Sequence, residues 1–146
     1  MAKSRPRAAA AFESVSDADL AKQAQDAMAA GLHREAIDAY KQLLKRHDQP
    51  EWRRALDDAY RARAAALAAK GMPKEAALTF ESARFDQAPA DAIIDYAHWL
   101  LKADQWPKLG QLYHRLLADG FDTANLEAAV GIQLLVDEKN ALPRHL

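Results

Sequence analysis

The stretch GLHREAIDAYKQLLKRHDQP, from Gly31 to Pro50, is answered forty residues later by GMPKEAALTFESARFDQAP, from Gly71 to Pro89. With Gly31 laid on Gly71, Ala36 falls on Ala76, Ile37 on Ala77, Tyr40 on Phe80 and Leu43 on Ala83, while Pro50 and Pro89 stand one place out of register. Apolar residues at 36, 37, 40, 43 and 44 follow the i, i+3, i+4, i+7 spacing of one helix stripe, with Arg34, Asp38, Lys41, Lys45 and Arg46 over the rest. Both lines therefore predict amphipathic helices. A glycine just before each one predicts the end of a preceding helix, because glycine takes the left-handed backbone conformation that a side chain makes costly.

Those preceding helices are legible. SVSDADLAKQAQDAMAAG puts Leu20, Ala24, Ala27 and Met28 on one face. Ser16 is its predicted N-cap, with Asp19 three residues on as a carboxylate version of the capping box and Asp17 favourable at the positive end of the dipole. Before Gly71, the segment from Asp48 to Lys70 aligns Trp52, Leu56, Ala59, Tyr60 and Leu67. Asp48 with Glu51 predicts a second capping box, and Pro50 suits the first turn, where its missing N–H costs nothing.

A third hairpin follows. Ile93, Tyr96, Ala97, Leu100 and Leu101 share one helix, and Leu109, Leu112, Tyr113, Leu116 and Leu117 the next, closed by Gly120 with Phe121 placed for the contact that accompanies such caps. Tyr40, Phe80 and Tyr113 lie 40 and 33 residues apart, so the second unit carries a longer first helix or a longer connection. A seventh helix, with Leu126, Val130, Leu134 and Leu135 on its face, is predicted from near Thr123.

An alanine four residues before an aromatic, behind a short glycine turn and with a proline about a dozen residues on, resembles the second helix of a tetratricopeptide repeat (TPR), whose period is about 34 residues. Ala36 with Tyr40 and Ala76 with Phe80 carry the resemblance, and Leu109 with Tyr113 shares its aromatic. The family's large first-helix residue falls on Leu20, Tyr60 and Ile93, and its small residue on Ala24, Ala64 and Ala97. The chain departs from the pattern in its 40-residue second unit, in lacking Trp-x2-Leu-Gly, and in placing Asp104 where the third turn has glycine in the family. The resemblance implies an all-α, right-handed superhelical stack of antiparallel hairpins of about seven helices, a TPR-like α-solenoid. The domain reading is a flexible basic tail over 1–15 and a repeat domain of about three and a half repeats over 16–146, open to continuation beyond the C-terminus.

The resemblance also implies a function: a noncatalytic scaffold holding a partner peptide or helix in the concave groove lined by the first helices. The family's groove positions project onto Ala21, Gln25 and Met28, onto Asp58, Arg61, Ala65 and Ala68, and onto Asp91, Ile94, His98 and Leu101. The partner-binding set is Gln25, Met28, Asp58, Arg61, Asp91, Ile94, His98 and Leu101. The plainer alternative is a solvated, alanine-rich face.

Composition narrows the remaining classes. The chain has 146 residues, half of them hydrophobic, which suffices for one domain with a real core. Its 20 Lys and Arg against 21 Asp and Glu give no general attraction to nucleic acid or acidic membranes, and the absence of cysteine removes disulfides, thiolate ligands and cysteine nucleophiles. No window approaches the roughly 18 apolar residues of a membrane span, which predicts a soluble chain in the cytoplasm. Asp91, Asp95 and His98 share a helix face at a spacing a metal could use, but acids near a helix N-terminus are also well placed for the dipole, so no metal is expected. No HExxH, G-x-S-x-G or glycine-rich phosphate loop occurs, and neither cofactor nor catalysis is expected.

Two alternatives remain beside the scaffold. Lys41, Lys45, Arg46, Arg53, Arg54, Arg61 and Arg63 form a basic stretch that, with Lys3, Arg5 and Arg7, could bind RNA, although Asp48, Glu51, Asp57 and Asp58 interleave it. The chain could also be the regulatory front of a longer enzyme. Its basic front and the acidic end carrying Asp119, Asp122, Glu127, Asp137 and Glu138 further allow head-to-tail self-association through the C-terminal helix.

Overall fold

The structure is a computed structural model that describes residues 15–124 and residue 126. Six α-helices run in order among the described residues: α1 (Asp17–Ala29), α2 (His33–Arg46), α3 (Pro50–Ala69), α4 (Pro73–Phe80), α5 (Ala90–Lys102) and α6 (Trp106–Ala118), with a short 3-10 turn at Phe85–Gln87 before α5. No strand occurs among the described residues. Each helix packs chiefly on its neighbours in the chain. Of the predicted seventh helix, Ala124 and Leu126 are described and helical, and its remaining positions lie outside the described residues, as do Lys3, Arg5 and Arg7 of the tail.

Three turns of one design link the helices of each pair. Gly31, Gly71 and Asp104 occupy the middle of the three turns with φ of 75°, 77° and 55°. In the first, Gly31 N–H donates to Met28 and Leu32 N–H to Ala27; in the second, Gly71 to Ala68 and Met72 to Leu67; in the third, Asp104 to Leu101 and Gln105 to Leu100. This is the Schellman pattern, in which a left-handed residue lets two N–H groups satisfy the last carbonyls of the outgoing helix. Asp104 thus does the work of a glycine, as aspartate is among the few side chains that tolerate this region. The same pair of bonds recurs after α6, from Gly120 to Leu117 and Phe121 to Leu116, with Phe121 packed on the core.

Among the described residues the core forms two apolar clusters. Leu20, Ala24, Ile37, Tyr40, Leu43 and Ala59 belong to the first, and Ala64, Phe80, Ile93, Tyr96, Leu100 and Leu116 to the second, so α3 contributes to both. Ala24, Ala64 and Ala97 each show 0% exposure, as do Ala36 and Ala76. These small residues are where neighbouring backbones approach. Leu117, expected on the apolar stripe of α6, is 49% exposed instead, because Leu112 and Leu116 set the buried face and Leu117 falls beyond its edge.

The helix ends correct two further expectations. Ser16 caps α1 as read, accepting from Asp19 N–H at 3.2 Å. The Asp48 and Glu51 box does not form: Gln49 is the N-cap of α3 and makes no side-chain cap bond. Pro50 at the first helical position holds Gln49 extended, which moves the cap one residue along and leaves Asp48 to pair with Arg53 in the next turn. The second repeated line is also shorter than its template. Where α2 has 14 residues, α4 has 8 and stops at Phe80. Ala83 replaces the fully buried Leu43, so a further turn would have little to bury, and Asp57 on α3 draws Arg84 aside. In compensation α3 has 20 residues against 13 in α1, so the long second unit is a longer first helix.

Candidate functional site

The eight predicted groove residues lie on alternate helices: Gln25 and Met28 on α1, Asp58 and Arg61 on α3, and Asp91, Ile94, His98 and Leu101 on α5. Gln25, Asp58 and Asp91 are exposed, whereas Met28, Arg61, Ile94, His98 and Leu101 are half-buried. The structure joins Asp58 to Arg61, whose Nη2 donates to Oδ1 at 2.9 Å. No hydrogen bond or ion pair links the other six to one another, and α1, α3 and α5 do not pack broadly together. Among the described residues two buried side-chain nitrogens have no hydrogen-bond partner, Arg61 Nη1 and His98 Nε2, and both belong to this set.

The metal constellation does not converge. Asp91 Oδ1 accepts from Ala92 N–H at 2.9 Å, and among the described residues no group of three His, Asp or Glu side chains is arranged to hold an ion. The basic stretch is largely occupied. Arg46 pairs with Asp17 at 3.0 Å, Arg53 with Asp48, and Arg61 with Asp58, while Lys41 lies 5.8 Å over the ring of Tyr60. The hydrogen bond from Arg53, followed by its charge, holds Asp48 below the usual carboxylate range. Burial, and then the charge of Asp58, raises Tyr40.

A second site escaped the sequence reading. The early end of α4 leaves an open cleft of about 370 Å³ between the link after α4, α5 and α6. Tyr96 and Leu112 form its floor and Phe85 one wall, while Lys108, Gln111 and Arg115 stand at helical spacing along α6. The Tyr96 ring stacks on Phe80 with centroids 4.5 Å apart, and its hydroxyl donates to Glu81 Oε2 at 2.7 Å. Lys108 Nζ donates to both oxygens of Glu81 at 3.0 Å. Burial first, and the bond to Glu81 second, push the Tyr96 phenol far above its ordinary value. Arg115 lies 4.0 Å over the Phe85 ring, and its Nη2 donates to Asp86 at 2.9 Å. The available signals were Pro89 out of register, Ala83 in place of Leu43, and cations two turns apart on one helix.

No helix among the described residues is long and apolar enough to cross a membrane. Compared with family models, with curated proteins and with solved structures, the chain matches none.

Proposed function

We propose that the chain is a noncatalytic interaction scaffold, a TPR-like stack of helical hairpins that receives a partner peptide or helix along the face formed by α1, α3 and α5. The observation that carries this reading is the position of the two unpaired buried nitrogens. Repeat register selected eleven positions for this face, eight of them other than alanine, and Arg61 and His98 are two of those eight. A buried polar group without a partner costs about 1–3 kcal/mol, which a ligand offering hydrogen-bonding groups there recovers when the side chains turn toward it. The thrice-used turn and the fully buried Ala24, Ala64 and Ala97 support the repeat reading. The ion pairs within the basic stretch weigh against RNA, since an arginine already held by a carboxylate releases less counterion on binding a phosphate.

Peptides selected from a displayed random library on the purified chain test this. Selected peptides should shift backbone resonances of α1, α3 and α5, and Arg61→Leu and His98→Leu should weaken them about tenfold or more while leaving the free chain at least as stable. Peptides that map to α2, α4 and α6, or a failure to select any while the protein turns over a substrate, would overturn the reading.

A further inference from the structure

We propose that the cleft beside the shortened α4 binds a small amphiphilic acid, an apolar body carrying one carboxylate. This is independent of the groove reading and uses none of its residues. The cleft's volume of about 370 Å³ falls within the roughly 300–1,000 Å³ of ordinary ligand pockets. Its floor of Tyr96 and Leu112 and its wall of Phe85 suit an apolar body, and the polar side chains that α6 contributes all bear donors: an ammonium, an amide and a guanidinium.

The one carboxylate in the lining is already engaged. Glu81 accepts from Tyr96 and twice from Lys108, so the Lys108 ammonium offsets its charge and the uncommitted donors of the cleft are those of Gln111 and Arg115. Asp86 and Asp119 flank Arg115 from outside the lining, but their side chains are 78% and 57% exposed, where solvent screens them strongly. Arg115 keeps most of its five donors, and Phe85 beneath it fixes the plane in which they are presented. Gln111, between the two cations, is exposed and adds an amide donor. The site owes its existence to the broken repeat: α2, with 14 residues, runs on through the turns that α4 lacks.

The test is a titration of the full chain with 3-phenylpropionate, followed by amide NMR shifts, against the uncharged 3-phenylpropan-1-ol. The acid should give saturable shifts confined to residues 81–85, 96 and 108–115, with a dissociation constant of about 1 mM or lower, and the alcohol should bind at least about tenfold more weakly. Gln111→Glu places a like charge in the cleft at an exposed position and should weaken the acid about tenfold, while Ala18→Glu on α1 leaves it unchanged. Arg115→Gln should weaken it similarly. Equal binding of acid and alcohol, insensitivity to Gln111→Glu and Arg115→Gln, shifts centred elsewhere, or no shift at about 10 mM would each overturn the proposal.

Discussion

The Asp57 carboxylate, buried on α3, holds Arg84 twice: Oδ2 accepts from Arg84 Nε at 2.8 Å and Oδ1 from Arg84 N–H at 3.1 Å. The two residues are 27 apart in sequence, and their contact fixes the link between α4 and α5. Asp57 is 4% exposed, so its charge is compensated mainly by this one partner.

Asp57→Ala should lower unfolding free energy by about 2–3 kcal/mol, since it strands a backbone N–H and loosens the link. Asp57→Asn, which keeps one acceptor, should cost roughly half as much. Arg84→Ala should cost at least as much as Asp57→Ala, because it leaves a buried carboxylate without its cation. Urea denaturation of the three variants and the double mutant measures the coupling. Additive effects would show that the pair is not a clasp.

At the turns, backbone conformation decides the outcome. An added Cβ at Gly31 or Gly71 meets nothing within 4 Å, so Gly→Ala there should cost only the left-handed penalty of about 1–2 kcal/mol. Asp104→Gly should run the other way, with a gain of up to about 1 kcal/mol, and Asp104→Val should lose more than either alanine substitution. Thermal denaturation monitored by circular dichroism ranks them.

Close approach at the small residues makes a size prediction. Ala64→Leu and Ala97→Leu should each destabilise by about 1–3 kcal/mol, since both sites show no exposure and an inserted side chain must push helices apart. Ala18→Leu, on the exposed side of α1, should change stability by less than about 0.5 kcal/mol in the same assay.

Alkaline pH should weaken the fold. Burial and Glu81 raise Tyr96, and burial and Asp58 raise Tyr40, both above the ordinary 10.0. The native chain then keeps phenolic protons that the unfolded chain releases, so this stability is complete below about pH 10 and falls as pH rises past it. Urea midpoints at about pH 8 and about pH 11 should differ less in Tyr96→Phe and Tyr40→Phe than in the parent. An unchanged difference would sink the assignment.

Local rules carried much of the fold. The stripe through Ala36, Ile37, Tyr40 and Leu43 and the glycines at 31, 71 and 120 depend on neighbours a few residues away, and each appears where periodicity puts it. What the sequence hid depends on distance or on competition. The end of α4 turns on what Ala83 does not bury and on an acid 27 residues earlier, and neither is a periodic signal. The cap of α3 shifted because Pro50 dictates its predecessor more strongly than Asp48 attracts an N–H. Asp104 was visible as a departure, but its left-handed backbone was not, because a tolerant residue leaves no compositional mark. The predicted groove residues could be assigned to α1, α3 and α5 by register, whereas the cleft between Glu81 and Arg115 had no repeat to point to it.

Ala59 and Ala64 lie little more than one turn apart on α3, yet they serve different interiors. About 7.5 Å of one rod thus joins the halves. Under tension the molecule should behave as two beads on a stiff axle, one bead rupturing while the other holds, so its length can change in steps without its whole architecture being lost.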